Sequence, residues 1–212
     1  ETPLFSKGQI LFNLDTARQY VDKIPYMFLV EGQLDALRCY EKGLKTAVAP
    51  QGTGITESQL KLIQRYENPL ICFLDGDVAG QKAGLRLFEM ALKVGLSVRF
   101  WVLEKEKDPD AFLLNRSDVS LKEVEAQWIH PVTFLVKTYQ KLEPVAAKAN
   151  AKIIETLFAA LAQSESALVV HEFLRQVSLE LGLYLKAVEL DFENFSKKVF
   201  GSRDSFNAVP DN

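Results

Sequence analysis

The first half of the chain is punctuated by short apolar runs, each closed by polar or turn residues: Tyr26-Met27-Phe28-Leu29-Val30, residues 46–49, residues 69–74 and Ser97 to Leu103. Each is too short for an ordinary helix and reads as a buried strand. Between them the period lengthens. Leu34 to Lys42 is helical and stops at Gly43; Thr56-Glu57-Ser58-Gln59 has capping-box spacing and opens a helix to about Tyr66; a third helix runs from about Ala79 to Val94, ahead of Gly95. Strands alternating with helices predict an α/β fold over 26–116, a parallel sheet flanked by helices. After Asn115 only helix signals remain: Ser120-Leu121-Lys122-Glu123 has capping-box spacing, Pro131 and Pro144 suit first-turn positions, and Ile153, Ile154, Leu157, Phe158 and Leu161 share one face. An all-α subdomain is therefore expected over 117–200, its apolar faces serving mainly to pack, with a frayed tail over 201–212.

The polar residues that close these runs are acidic. Asp75-Gly76-Asp77 follows Ile71-Cys72-Phe73-Leu74, and Gly76 with Ala79-Gly80 keeps the turn into the next helix short. Glu31-Gly32-Gln33-Leu34-Asp35 follows the first strand, and Lys107-Asp108-Pro109-Asp110 follows the fourth. In one parallel sheet Glu31, Asp75, Asp77, Asp108 and Asp110 would meet at the carboxyl edge, where open α/β sheets bind ligands. So many carboxylates repel one another unless divalent cations sit among them, and an all-oxygen set favours Mg²⁺ or Mn²⁺ over zinc. Asp35, four residues after Glu31, also suits the positive end of its helix.

The ordered set E-G-x-x-D, D-G-D-x-A-G and D-P-D resembles the Toprim domain of primases, topoisomerases and some nucleases. ETPLFSKGQILFNLDTA at 1–17, TAVAPQGTGIT at 46–56 and RFWVLEKEKDPDAFL at 99–113 narrow the resemblance to the catalytic core of bacterial DnaG-type primases, closely over 1–116 and more loosely through about 197. The resemblance implies metal-dependent synthesis of short RNA primers from ribonucleoside triphosphates on a single-stranded DNA template. It implies an RNA–DNA hybrid product and a replicative helicase as partner, whose docking region is not evident in this sequence. It makes Glu31, Asp75 and Asp77 the catalytic acids, with Asp75 a shared metal ligand and Glu31 a ligand or general base. Asp108 and Asp110 complete a second ion or act through water, and Lys7, in F-x-K-G, touches nucleotide phosphate or template. Residues 1–25 look like the end of the subdomain that precedes Toprim in that family, so the chain reads as a piece of a longer protein or a reduced relative. Gln33-Leu34, Gln51 and Gly54 depart from the family pattern, and Gly52-Thr53-Gly54 lacks the Lys-Ser/Thr of a phosphate-binding loop.

Composition adds limits. At 212 residues and 48% hydrophobic the chain can bury a real core. It has no apolar stretch of about 18 residues and no signal-like N-terminus, so a cytoplasmic protein without a membrane partner is expected. Cys39 and Cys72 lie in apolar patterns and are expected as reduced core residues; two cysteines give no zinc module. His130 and His171 lack nucleophile partners, which argues against a hydrolytic triad. A net charge of −3 weighs against an extensive nucleic-acid surface. It keeps open a catalytically reduced nucleic-acid-binding fragment beside the other alternative, a topoisomerase- or nuclease-type Toprim enzyme. A D-x-D phosphatase is disfavoured by Ala79, where that motif prefers Thr or Val.

Overall fold

The computed structural model describes residues 6–52, 54–103, 108–164 and 166–204. Thr53, residues 1–5 of the amino-terminal motif, 104–107 ahead of Asp108 and 205–212 of the expected tail lie outside the described residues. The described chain divides into two compact units, one reaching Phe134 and the other beginning at Leu135.

The first unit is built on a sheet of five strands: β1 (Leu11–Phe12), β2 (Met27–Leu29), β3 (Ala47–Pro50), β4 (Leu70–Leu74) and β5 (Val98–Val102), ordered β1-β3-β2-β4-β5. The four strands expected from the apolar runs are all present and mutually parallel. β1 has no counterpart among the apolar runs; it pairs antiparallel with β3, Leu11 opposite Pro50, so the sheet is mixed and not wholly parallel as expected. Two residues carry no period, which is why this strand left no signal. Asn13 holds the turn after it in a left-handed conformation, φ 65°, and its Nδ2 donates to the Ala47 carbonyl at 2.9 Å.

Every residue of β2, β3 and β4 is buried, as parallel strands covered on both faces must be. Alternation splits them. Phe28, Ala47, Ala49, Ile71, Phe73 and Trp101 face one core with Ala36 and Cys39 of α2 (Gln33–Glu41), Leu113 of α5 (Pro109–Leu113) and Val124 of α6 (Leu121–Gln127). On this face Phe73 stacks on Trp101, ring centroids 4.1 Å apart. The intervening residues face α3 (Glu57–Gln64) and α4 (Val78–Lys93), and Phe100 stacks on Phe134 at 4.0 Å. Gly84 of α4 is needed here for space: a Cβ would lie 2.5 Å from the Phe134 ring and 2.7 Å from Leu74. Both cysteines are buried free thiols.

Val119 and Val124 belong to the sheet's core, and Ile129 bridges to Phe100, which is why the first unit extends past the point where strand signals stop. At α6 the Ser120 hydroxyl accepts the Glu123 N–H at 3.2 Å, but the Glu123 carboxylate turns to Arg116 instead of completing a capping box. α7 (Pro131–Leu142) carries Pro131 at its first position as expected. The second unit holds α8 (Ala146–Leu161), α9 (Ala167–Leu181) and α10 (Leu185–Asp204). Ile153, Leu157, Phe158 and Leu161 are buried on α8, and Phe158 meets Phe192 and Phe195 edge-on. Pro144 precedes the N-cap Val145 and so lies just outside the helix, a correction to its expected first-turn place. α10 also continues through Gly201 to Asp204, because one glycine in a helix costs only about 1 kcal/mol and does not stop it. Among the described residues no helix is long and apolar enough to cross a membrane.

The Thr56 capping box does more than start α3. Gln59, fully buried, closes the box through Oε1 and sends its amide N–H groups to the carbonyls of Lys7 (3.0 Å) and Ile10 (2.6 Å), while the Thr56 hydroxyl donates to Gly8 at 2.6 Å. The short 3₁₀ turn Lys7–Gln9 is thus latched to the sheet unit. Gln59→Leu would orphan both carbonyls. It is expected to lower unfolding stability by about 2 kcal/mol in urea titration and to speed amide exchange over residues 7–10 ahead of the rest of the unit.

Candidate functional site at the carboxyl edge of the sheet

β2 is the switch strand: the chain leaves it for β3 on one side and returns to β4 on the other. The carboxyl ends of β2 and β4 therefore border a crevice that no crossover covers. Leu29 pairs with Cys72, which brings Glu31 and Asp75, both just beyond these positions, side by side at its mouth. Asp75 follows β4 directly, and its backbone N–H donates to the Glu31 carboxylate. Gly80 makes this approach possible. A Cβ there would fall 2.8 Å from Glu31 Oε1 and 2.8 Å from the Asp75 carbonyl.

The remaining acids sit at helix starts. Asp77 caps α4, Oδ1 accepting the Gly80 N–H at 2.7 Å. Asp108 caps α5, accepting the Ala111 N–H at 2.6 Å, with Pro109 at the first helical position. Asp35 closes the start of α2 by accepting the Gly32 N–H at 3.0 Å on Oδ2, and its Oδ1 accepts the Asp110 N–H at 3.1 Å. One side chain thus ties α2 to α5, a linking role that its capping position only half suggested. Asp110 is held in turn by Arg38, Nε to Oδ1 at 2.6 Å.

Asp75 is the exception. Its Oδ1 is buried and has no hydrogen-bond partner among the described residues. Burial first, and then the charges of Glu31, Asp35, Asp108 and Asp77, push its pKa from 3.8 up to about 7. The carboxyl of Glu31 is raised mainly by burial, against the Asp75 N–H that favours its anion. Burial also raises Asp35 most, and the N–H groups of Asp110 and Gly32 oppose it. The sheet therefore converges carboxylates from three strand ends on one another and, among the described residues, leaves Asp75 Oδ1 without a donor.

Among the described residues, no three His, Cys, Asp or Glu side chains close into a cage as they stand. The donors nonetheless fit a hard cation: all are carboxylate oxygens, and the orphaned Asp75 Oδ1 is a buried acceptor awaiting a positive partner. Lys7 lies apart from this group in sequence, its exposed side chain on the turn latched by Gln59. His130 starts α7, its Nδ1 accepting the Val132 N–H, and His171 is exposed beside Glu189.

Reading by motif missed two contributors. Arg38 stands three residues after Asp35 and three before Glu41, a helical spacing that could have marked it as facing acids on both sides. Gly80 could have been found as the small residue that D-x-x-G needs where a helix starts against a strand end. On the other side of the β2 and β4 ends, a largely apolar cleft of about 210 Å³ is lined by residues including Pro50, Ile55, Leu74 and Leu87, with Glu31 on its wall.

Comparison with known proteins gives the same answer along independent lines. A Toprim-like family model matches residues 28–113, which run from β2 to α5 and include Glu31, Asp35, Asp75, Asp77, Asp108 and Asp110. The DNA primase of Chlamydia muridarum is 30% identical over 223 aligned positions, covering 100% of this chain and 36% of the relative, so the chain spans about a third of that relative's length. A DNA primase domain from Pseudomonas aeruginosa superposes with a TM-score of 0.74 at 26% identity, covering 90% of this chain and 61% of that one. A DnaG primase catalytic domain bound to single-stranded DNA superposes with a TM-score of 0.71 at 25% identity, over 84% of this chain and 59% of that one. Matched along its whole length by a DNA primase and superposing on primase catalytic domains, the chain belongs to the bacterial DnaG-type primase family and carries that family's Toprim domain.

Proposed function

We propose that this chain is the catalytic Toprim portion of a primase, joining ribonucleotides on a single-stranded DNA template with Mg²⁺ or Mn²⁺. The observation that carries the reading is the buried, unpartnered Asp75 Oδ1 at the centre of an acidic edge in a chain of this family. Primer extension joins a 3′-hydroxyl to the α-phosphorus of a nucleoside triphosphate and releases pyrophosphate. Divalent cations supply charge neutralisation for the phosphates and lower the pKa of the attacking hydroxyl.

The protein's part is to hold and to orient. Asp75 and Glu31 would offer oxygens to a cation, and Asp77 would add its second oxygen with Oδ1 still on Gly80. The Asp75 N–H fixes the rotamer of Glu31, which keeps that carboxylate at the crevice mouth as ligand or as proton acceptor for the hydroxyl. Asp108 and Asp110 lie at the start of α5, where they widen the acidic surface toward the triphosphate. Lys7, with its backbone latched, supplies a cation for template or nucleotide phosphate, a contact that fixes position without choosing sequence. A template strand, ribonucleoside triphosphates and, for the longer protein, a replicative helicase are the partners this reading requires.

The same orphaned carboxylate couples ion binding to protons. Asp75 titrates near 3.8 in the unfolded chain and at about 7 in the folded one, so between these values the folded state holds a proton that the unfolded state has released. Its contribution to stability is full at low pH and is lost as pH rises to about 7; a cation takes over the proton's place above that.

Two outcomes follow. In the metal-free chain, unfolding stability is expected to be lower at pH 8 than at pH 5, with about 2 kcal/mol of the fall due to Asp75 after allowance for screening. Asp75→Asn should remove that share, and millimolar Mg²⁺ should offset it at pH 8, all read by denaturant titration. In a ribonucleotide-incorporation assay on single-stranded DNA, Asp75→Asn is expected to cost at least about 100-fold and Glu31→Gln a comparable factor. Unchanged incorporation in Asp75→Asn would overturn the reading, and Mn²⁺ binding with no incorporation by the unaltered chain would favour a nucleic-acid-binding fragment.

A further inference from the structure

The acids at this edge fall into two halves that differ in how their oxygens are used. In the half made by β2 and β4, Asp75 Oδ1 has no partner. In the half made by α2 and α5, Asp35 spends Oδ2 on the Gly32 N–H and Oδ1 on the Asp110 N–H, and Asp110 Oδ1 takes Arg38 Nε at 2.6 Å. Arg38 is itself fixed at its other end, Nη1 lying 2.6 Å from Glu41. Asp35, Arg38 and Glu41 recur at three-residue spacing along the face of α2 that meets α5. The guanidinium is also not loosely placed: its side chain is only 24% exposed, against 37% for Asp110.

We infer that Arg38 is a built-in counter-ion that closes the Asp110 half of the edge to cations, so that the chain without nucleotide takes one divalent ion, at the Asp75 half. This rests on reading the edge as a metal site. The physical case is competition for one oxygen. A divalent ion bound through Asp110 must either displace Nε from Oδ1 or sit beside a fixed positive charge, and a charge-assisted hydrogen bond of this length is among the stronger contacts a carboxylate makes. Among the described residues no such competitor is hydrogen-bonded to Asp75 Oδ1. Arg38 acts here as a positioning residue. It keeps Asp110 aligned with Asp35 and ties the start of α5 to α2.

The test counts bound ions directly. Mn²⁺ binding to the full chain, followed by electron paramagnetic resonance of free Mn²⁺, is expected to saturate at one ion per chain. Arg38→Met, which removes the charge but keeps the stem, should rise to two. Arg38→Met with Asp110→Asn should return to one, and Arg38→Lys, which keeps the charge, should stay at one; this last variant guards against a folding defect in the first. Two ions on the unaltered chain, or one on Arg38→Met, would overturn the role of Arg38 while leaving the metal site intact. No Mn²⁺ bound by the unaltered chain at millimolar concentration would instead overturn the metal reading beneath it.

Discussion

Asp75 Oδ1 is buried at a strand end, unpartnered, and surrounded by the charges of Glu31, Asp35, Asp108 and Asp77. A fold tolerates such a group by keeping it protonated, as the rise of its pKa to about 7 implies, or by pairing it with a cation, because an unpaired buried charge costs several kcal/mol. The surrounding architecture is arranged to keep it there. Gly80 lets α4 begin against the Asp75 carbonyl, Asp77 stays on the cap of that helix, and the Asp75 N–H holds Glu31 alongside. The strain is local. It is set into a sheet whose central strands are buried on both faces and whose cores hold stacked rings, Phe73 on Trp101 and Phe100 on Phe134.

Most of this fold was legible because long-range order in a parallel α/β unit leaves short-range marks. Buried strands have to be continuous apolar runs, and the crossover helices have to start and stop within a few residues, so caps and glycines such as Thr56, Gly43 and Gly95 bracket them. β1 left no such mark, being only Leu11 and Phe12 on an edge. Capping boxes were legible as spacing but not as chemistry: Thr56 and Gln59 close theirs, whereas the Glu123 carboxylate prefers Arg116. In the helical unit the reach of α10 past Gly201 was hidden because a single glycine is a weak stop.

For the candidate site, identity and spacing were enough to find the acids, since each must follow a strand to reach the edge. What they do to one another was not legible. Asp35 reads as a capping residue, yet its second oxygen reaches the Asp110 N–H, a partner far along the chain. Asp110 reads as a ligand like Asp108, yet Arg38 holds it. Both contacts depend on α2 and α5 packing side by side, which is a property of topology that no local motif carries. Family resemblance pointed to the acids and was silent about which of their oxygens are still open.

The central claim is that the orphaned oxygen of Asp75 is the seat of a divalent cation. The most direct measurement is the anomalous signal of a crystal of this chain soaked in Mn²⁺. A peak is expected within bonding distance, about 2.0–2.3 Å, of Asp75 Oδ1, with Glu31 or Asp77 completing its protein ligands. An empty edge at saturating Mn²⁺, or a peak held only by Asp108 and Asp110 while Asp75 stays bare, would contradict it.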